Sequence, residues 1–171
     1  MAILEILHYP EPLLKEKSTQ VDVFDDELRQ LATDMAETMY DAPGVGLAAP
    51  QIGVLKRLIT LDCSGHEEPD ELILAVNPEI VAREGECMEE EGCLSVPEYY
   101  ARVARSANVR FRYQDLDGET HERDADGLLA VAIQHEIDHL DGILFVDRLS
   151  SLKRSMFRKK YMKMLQQGEQ E

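Results

Sequence analysis

Apolar residues recur across residues 25–42 with the period of a helix. Leu28, Leu31, Met35 and Met39 fall at i, i+3, i+7 and i+11, and Ala32 and Ala36 widen the stripe. Asp25, Asp26 and Glu27 open the segment, where acids suit the positive end of the helix dipole. Pro43 and Gly44 stop it. The next stretch, Gly44-Val45-Gly46-Leu47-Ala48-Ala49-Pro50-Gln51, is too rich in Gly and Pro for regular structure. Short apolar runs at 58–61 and 72–76 read as buried strands, and the acidic stretch 64–71 as a loop. Val109, Phe111 and Tyr113 alternate with Arg110 and Arg112, the period of a half-buried strand. Asp117-Gly118 is a hairpin signal. Gly127 opens a second helix over 128–140, ended near Gly142. A third starts at Ser150 as its N-cap and runs to Leu165. Strands between long helices, without βαβ alternation, predict an α+β fold. The expected architecture is small antiparallel or mixed sheets around a central helix, with an N-terminal and a C-terminal helix.

Composition narrows the function. The 171 residues suit one domain, and 44% of them are hydrophobic. A chain of this size buries about 70% of its unfolded surface, enough for a core without disulfide staples. Acids outnumber bases 34 to 18, a net charge of −16, which argues against a general nucleic-acid binder. Three cysteines, an odd number, do not suggest a secreted disulfide framework. The first ten residues carry no basic region and have Glu5 inside their apolar stretch, unlike a signal peptide. The longest apolar run, 128–133, falls far short of the ~20 residues a membrane helix needs. A soluble, cytoplasmic protein with no membrane partner is expected.

The chemistry concentrates at His135-Glu136-Ile137-Asp138-His139, an HExxH motif. Residues four apart on a helix sit about 40° apart around its axis, so both imidazoles point the same way. They can share one metal ion. Glu136 flanks the same face, placed to take a proton from a water that the metal activates. The motif also arises by chance on solvated helices. Here Leu128, Ala132, His135 and His139 form one stripe, with Val131 beside it, so the histidines face an apolar wall. Two stacked core histidines without metal are the plain alternative.

A metal site needs a third ligand. Phe145 stands where a metzincin places its third His, and the only glutamates after His139 are Glu169 and Glu171. Asp141 and Asp147 lie in no downstream motif. The ligand is therefore sought upstream, and Cys93 in Glu91-Gly92-Cys93-Leu94-Ser95 is the best candidate. A thiolate is a strong ligand for zinc or iron(II). Cys63, at the end of an apolar run, and Cys87, among acids, are the competitors. Three ligands and one open position define a catalytic rather than a structural metal. The Gly44–Gln51 stretch nearly matches a dinucleotide fingerprint, but a helix precedes it and Pro50 blocks a helix after it. It is either a tight glycine loop or a backbone brought close to a substrate, with Gln51 donating its amide.

Together these three segments resemble the signature motifs of bacterial peptide deformylases, in the same order and with similar spacing, over nearly the whole chain. The resemblance implies removal of the formyl group from N-formylmethionine on nascent polypeptides, releasing formate. It implies iron(II) in vivo, with zinc or nickel as substitutes, held by Cys93, His135 and His139. It makes Glu136 the general base and then the general acid, and Gln51 and the Leu94 backbone N–H the oxyanion donors; with Gly46 these form the catalytic set. Val45, Gly46 and Gly92 would pair with an extended substrate, and Leu128, Val131 and Ala132 would line the methionine pocket. Residues 1–148 form the catalytic unit and 149–171 a helical tail of the same domain. One departure is visible: where the family often carries an Arg after the Cys motif, this chain has Pro97-Glu98-Tyr99-Tyr100.

Two other readings compete. A metallopeptidase would share the HExxH but cut unformylated peptides. A structural metal module would close a four-ligand site with Cys63 or Cys87 and unfold on chelation. The tail adds a separate signal. Lys153, Arg154, Arg158, Lys159, Lys160 and Lys163 place six positive charges in one segment, leaving −22 on the rest of the chain. Leu149, Leu152, Met156 and Phe157 would pack such a helix on the core. Like charges at i, i+4 repel, so the uniform sign suggests a polyanionic partner, and RNA fits better than a membrane. The resemblance implies the ribosome, docked through this helix.

Overall fold

The computed structural model describes residues 2–64 and 71–170. The expected loop at 64–71 lies, for 65–70, outside the described residues. The first helix, α1 (Asp26–Asp41), starts where the acids predict: Asp25 is its N-cap and accepts the Leu28 N–H at 3.0 Å. Its apolar stripe of Leu28, Ala32, Met35 and Met39 is buried against Leu47, Leu58 and Val76.

Among the described residues seven strands come after it: β1 (Gly46–Ala48), β2 (Leu58–Leu61), β3 (Ile73–Glu84), β4 (Cys87–Cys93), β5 (Val96–Arg105), β6 (Asn108–Gln114) and β7 (Thr120–Asp126). They form a five-stranded sheet in the order β1-β2-β3-β6-β7 and a separate β4-β5 hairpin. Every pairing between the described strands is antiparallel, and the fold is α+β. One expectation is corrected here. The Gly/Pro-rich stretch contains a strand, because Gly46, Leu47 and Ala48 pair in register with Leu61, Thr60 and Ile59. Neighbouring β2 supplies hydrogen bonds that overrule a poor local propensity.

The second helix, α2 (Gly127–Leu140), lies across the large sheet and is buried from Ala130 to its end. Ile133, Ile137 and Leu140 pack on Ile59, Leu61 and Phe111. A third cluster joins the hairpin to α3 (Ser151–Gln170): Val96 and Val103 meet Phe145, Phe157 and Tyr161. Ser150 caps α3 through its Oγ, which accepts the Lys153 N–H at 3.3 Å. Phe157 and Tyr161 do the packing expected in part of Leu152 and Met156, which are instead exposed. No described helix is long and apolar enough to cross a membrane.

Candidate metal and peptide site

Three elements converge beside the middle of α2. The first is α2 itself, which presents His135, Glu136 and His139. The second is the end of β4, which delivers Cys93. The third is the short 3-10 turn Ala49–Ile52, directly after β1, which carries Gln51. His135 Nε2 and His139 Nε2 lie 3.2 Å apart, and Cys93 Sγ is 3.4 Å from His139 Nε2. The three ligand atoms lie within 4.8 Å of one another. Cys63 and Cys87 join neither this group nor any other metal-ligand cluster among the described residues. All three cysteines are free, and burial, with help from Asp62, pushes the Cys63 thiol up to about 11, which makes it inert.

The charges around these donors suit a cation. Burial opposes charge on both imidazoles. At His135 this is outweighed by a hydrogen bond with Cys93, by the charge of Glu136 and by a hydrogen bond with Glu91, which raise its proton affinity. His139 is held neutral by burial and by the positive charges of His135 and Arg105, and the neutral imidazole is the form that ligates. The negative groups that draw a proton to His135 draw a divalent cation to the same place. One thiolate and two imidazole nitrogens are a donor set for zinc, iron or nickel, and three ligands leave a position open. The residues therefore fit a catalytic transition-metal ion. Asp115, Glu119 and His121 form a second, exposed group on the β6–β7 hairpin. There Asp115 is already occupied by the backbone N–H groups of Asp117 and Glu119 and by His121.

Glu136 is 5% exposed, and its Oε1 has no hydrogen-bond partner among the described residues. Burial pushes its carboxyl up to about 7, close to the value a proton shuttle at neutral pH requires. Gly46 is what lets it sit there: a Cβ on residue 46 would stand 2.6 Å from Glu136 Oε2. Gln51 is fixed from both ends. Its Oε1 accepts the Ala48 N–H at 2.9 Å, so its amide nitrogen faces the site, 3.1 Å from Ser95 Oγ and 3.6 Å from Cys93 Sγ.

These groups open onto a groove of about 600 Å³. Val45, Gly46, Gly92, Leu94, Val131 and Ala132 line it, as does Leu128, which is 57% exposed at its mouth rather than walled in. The groove runs between two strand edges. β1 is an outer strand of the large sheet, and among the described residues β4 pairs only with β5. The β4 ladder is irregular at Gly92, between the Glu91 and Cys93 pairings. Tyr100 lies over Gly92 so closely that a Cβ there would be 2.6 Å from its ring.

Residues that sequence reasoning did not single out stand behind the ligands. Glu91 accepts from His135 Nδ1 at 3.0 Å. Arg105 and Asp138 are buried beside it. Asp138 was visible inside the HExxH and Glu91 at the head of the Cys motif. Nothing in the sequence signalled that Arg105, across the hairpin from Cys87, turns inward to join them.

The family model for polypeptide deformylase matches residues 3–155, which include all three segments of the site. A peptide deformylase of Acidobacterium capsulatum is 52% identical over 169 residues, covering 99% of both chains. The crystal structure of a peptide deformylase from Legionella pneumophila superposes with a TM-score of 0.91 at 48% identity, again covering 99% of each. That of Synechococcus elongatus, in complex with actinonin, gives 0.88 at 40% identity over 94% of this chain and 88% of its own. With fold, motifs and full-length similarity in agreement, the chain belongs to the polypeptide deformylase family.

Proposed function

We propose that Glu136, Gln51, Leu94 and Gly46 carry out this chain's deformylation, over a divalent ion held by Cys93, His135 and His139. The reaction itself comes with the family, which removes the N-formyl group from nascent peptides and depends on a metal. The convergence of the three donor atoms on the flank of a peptide-sized groove is the observation that carries the assignment. When bound, the ion supplies Lewis acidity: it polarises a carbonyl oxygen and makes a water more acidic. Iron(II) is the proposed native ion, with zinc or nickel as working substitutes. Metal analysis of anaerobically purified protein tests that choice.

The chain's own groups do the rest. An extended peptide lies between the β1 and β4 edges, pairing with the backbone at Val45, Gly46 and Gly92. Its methionine side chain enters between Leu128, Val131 and Ala132. A water attacks the formyl carbon, and Glu136 takes its proton. The negative charge then forms on the formyl oxygen, where the Gln51 Nε2–H and the Leu94 N–H are the proposed donors. The C–N bond breaks, Glu136 returns the proton to the departing amine, and formate leaves. Residues 1–148 form the catalytic unit in this reading, and 149–171 a tail of the same domain.

Formyl-Met-Ala, acetyl-Met-Ala and Met-Ala-Ala are the discriminating substrates. Fast hydrolysis of the formyl peptide, slow hydrolysis of the acetyl one and none of the free peptide are expected. Equal rates on both acyl groups would overturn the deformylase assignment in favour of a broader amidase or peptidase. The exposed basic face of α3 supports a second element, docking on ribosomal RNA in the cytoplasm.

A further inference from the structure

A buried chain of charges runs from the candidate ligand His135 to the foot of α3. His135 Nδ1 donates to Glu91 Oε1 at 3.0 Å. Arg105 grips Glu91 by both oxygens, Nε to Oε2 and Nη2 to Oε1, each at 2.9 Å. Its Nη1 donates to Asp138 Oδ2 at 2.6 Å. Asp138 then accepts from Arg148 twice, Nε to Oδ2 at 3.0 Å and Nη2 to Oδ1 at 2.7 Å. The three inner side chains are nearly sealed from water, while that of Arg148 is 45% exposed. Arg148 ends the 3-10 turn Phe145–Arg148, three residues before α3.

Two guanidiniums and two carboxylates alternate along this chain, so its charges cancel only while all four are present. Without Arg148, two buried carboxylates share Arg105. Asp138 then pulls on the guanidinium whose fork holds Glu91, in a medium where such pulls are strong. Glu91 is what keeps the His135 proton on Nδ1 and its Nε2 lone pair toward Cys93 and His139. We infer that Arg148 is a positioning residue of the metal centre: through Asp138 and Arg105 it fixes the carboxylate that orients His135. This rests on the reading of Cys93, His135 and His139 as the ligands.

A neighbouring contact separates this role from plain support of the helix. Arg57 Nη2 meets Asp141 at 3.1 Å and its Nη1 donates to Leu140 O at 3.1 Å, so it braces the end of α2. Its side-chain hydrogen bonds and ion pairs among the described residues go to the C-terminal end of α2 and to Ser18, and do not reach Glu91 or His135.

The test uses the full zinc-loaded chain and its R148A, R148K and R57A variants. Three quantities are read: the melting temperature, the rate of zinc release to excess chelator, and the low-field proton resonance of His135 Nδ1–H. R148A is expected to release zinc about three- to tenfold faster, a coupling of the size carried through intervening residues, and to shift or broaden that proton. R148K, a point charge without the fork, should fall between R148A and wild type. R57A should lower the melting temperature while zinc release stays within about twofold of wild type, since Arg57 shares no partner with the ligands. The inference is overturned if R148A keeps the wild-type release rate and resonance, or if R57A accelerates release as much as R148A. A C93A variant reports separately on the ligand reading: full zinc stoichiometry in C93A sinks that reading whatever Arg148 does.

Discussion

Glu136 is a nearly buried carboxyl at the groove, with one oxygen unpartnered among the described residues and the other against Gly46. Such a group suits proton transfer rather than structure. Replacing it by Ala should leave bound metal intact and cut turnover by about 10²–10⁴-fold, the usual worth of a general base. Metal analysis beside a formyl-peptide assay checks both halves. Gly46→Ala acts on the same carboxylate from the other side. The added methyl displaces Glu136, and a shift of about 1 Å in such a group can lower turnover on the order of 100-fold. Glu91 is a carboxylate of the opposite kind. Burial alone would raise its pKa, but hydrogen bonds from Arg105 and His135 hold it below the ordinary 4.5. A depressed folded value means a stabilising contribution that is complete above about 4.5 and is lost as pH falls through the folded value. The melting temperature of apo protein should therefore exceed that of apo E91Q at pH 7. The gap should close as the medium becomes more acidic than about pH 4.5. A gap constant from about pH 3 to 7 would show that the Glu91 charge contributes nothing. At this scale the chemistry was legible, because His, Glu and Cys at motif spacings announce a metal. Arg105 was not, because an arginine on an alternating strand looks solvated until the hairpin folds it inward.

At the level of elements, α1 and α2 were readable from the period of their apolar residues and from the residues that open and close them. β2 and β6 were readable from apolar runs and alternation. β1 and β4 were not. Each is short or acidic, and each is a strand because a neighbour pairs with it, a non-local effect that no local pattern encodes. Those two strands line the groove together with β5 and α2, so the shape of the groove was the part least visible in the sequence. The proposed ligands, by contrast, ride on elements that protein contacts hold. α2 is fixed by Ile133, Ile137 and Leu140 in the core and by Arg105, Arg148 and Arg57 at its edges. β4 is fixed by β5 along six paired positions. Removing the metal with a chelator should abolish turnover yet leave the far-ultraviolet circular dichroism nearly unchanged. A structural metal module predicts collapse of that signal instead.

For the molecule as a whole, charge and packing divide the C-terminal helix into two faces. Phe157 and Tyr161 face inward, where Phe157 meets Tyr9 and Tyr99 at ring separations of 5.2 and 4.6 Å. Lys153, Arg158, Lys159, Lys160 and Lys163 face outward, together with Leu152 and Met156. The sequence signalled the cationic segment but assigned Leu152 and Met156 to the wrong side, because a helix with apolar residues all round does not say which of them finds a core. Truncating the tail would thus remove two buried aromatics along with the charges. Phe157→Ala alone should cost about 3–5 kcal/mol, read as a lower melting temperature. Charge neutralisation tests the outer face without touching the inner one. Changing Lys153, Lys159, Lys160 and Lys163 to Gln alters only exposed positions, outside the groove lining. The melting temperature and the rate on a short formyl peptide should stay at wild-type levels. Co-sedimentation with ribosomes should fall. The remaining binding should depend less steeply on salt, by about one unit of log–log slope for each phosphate no longer neutralised. On a body of net charge −16, an isolated cationic face attracts a polyanion only at short range, since a Debye length of about 8 Å at physiological salt screens the rest. Unchanged co-sedimentation of the four-Gln variant, with an unchanged salt slope, would remove the helix from any role in ribosome docking.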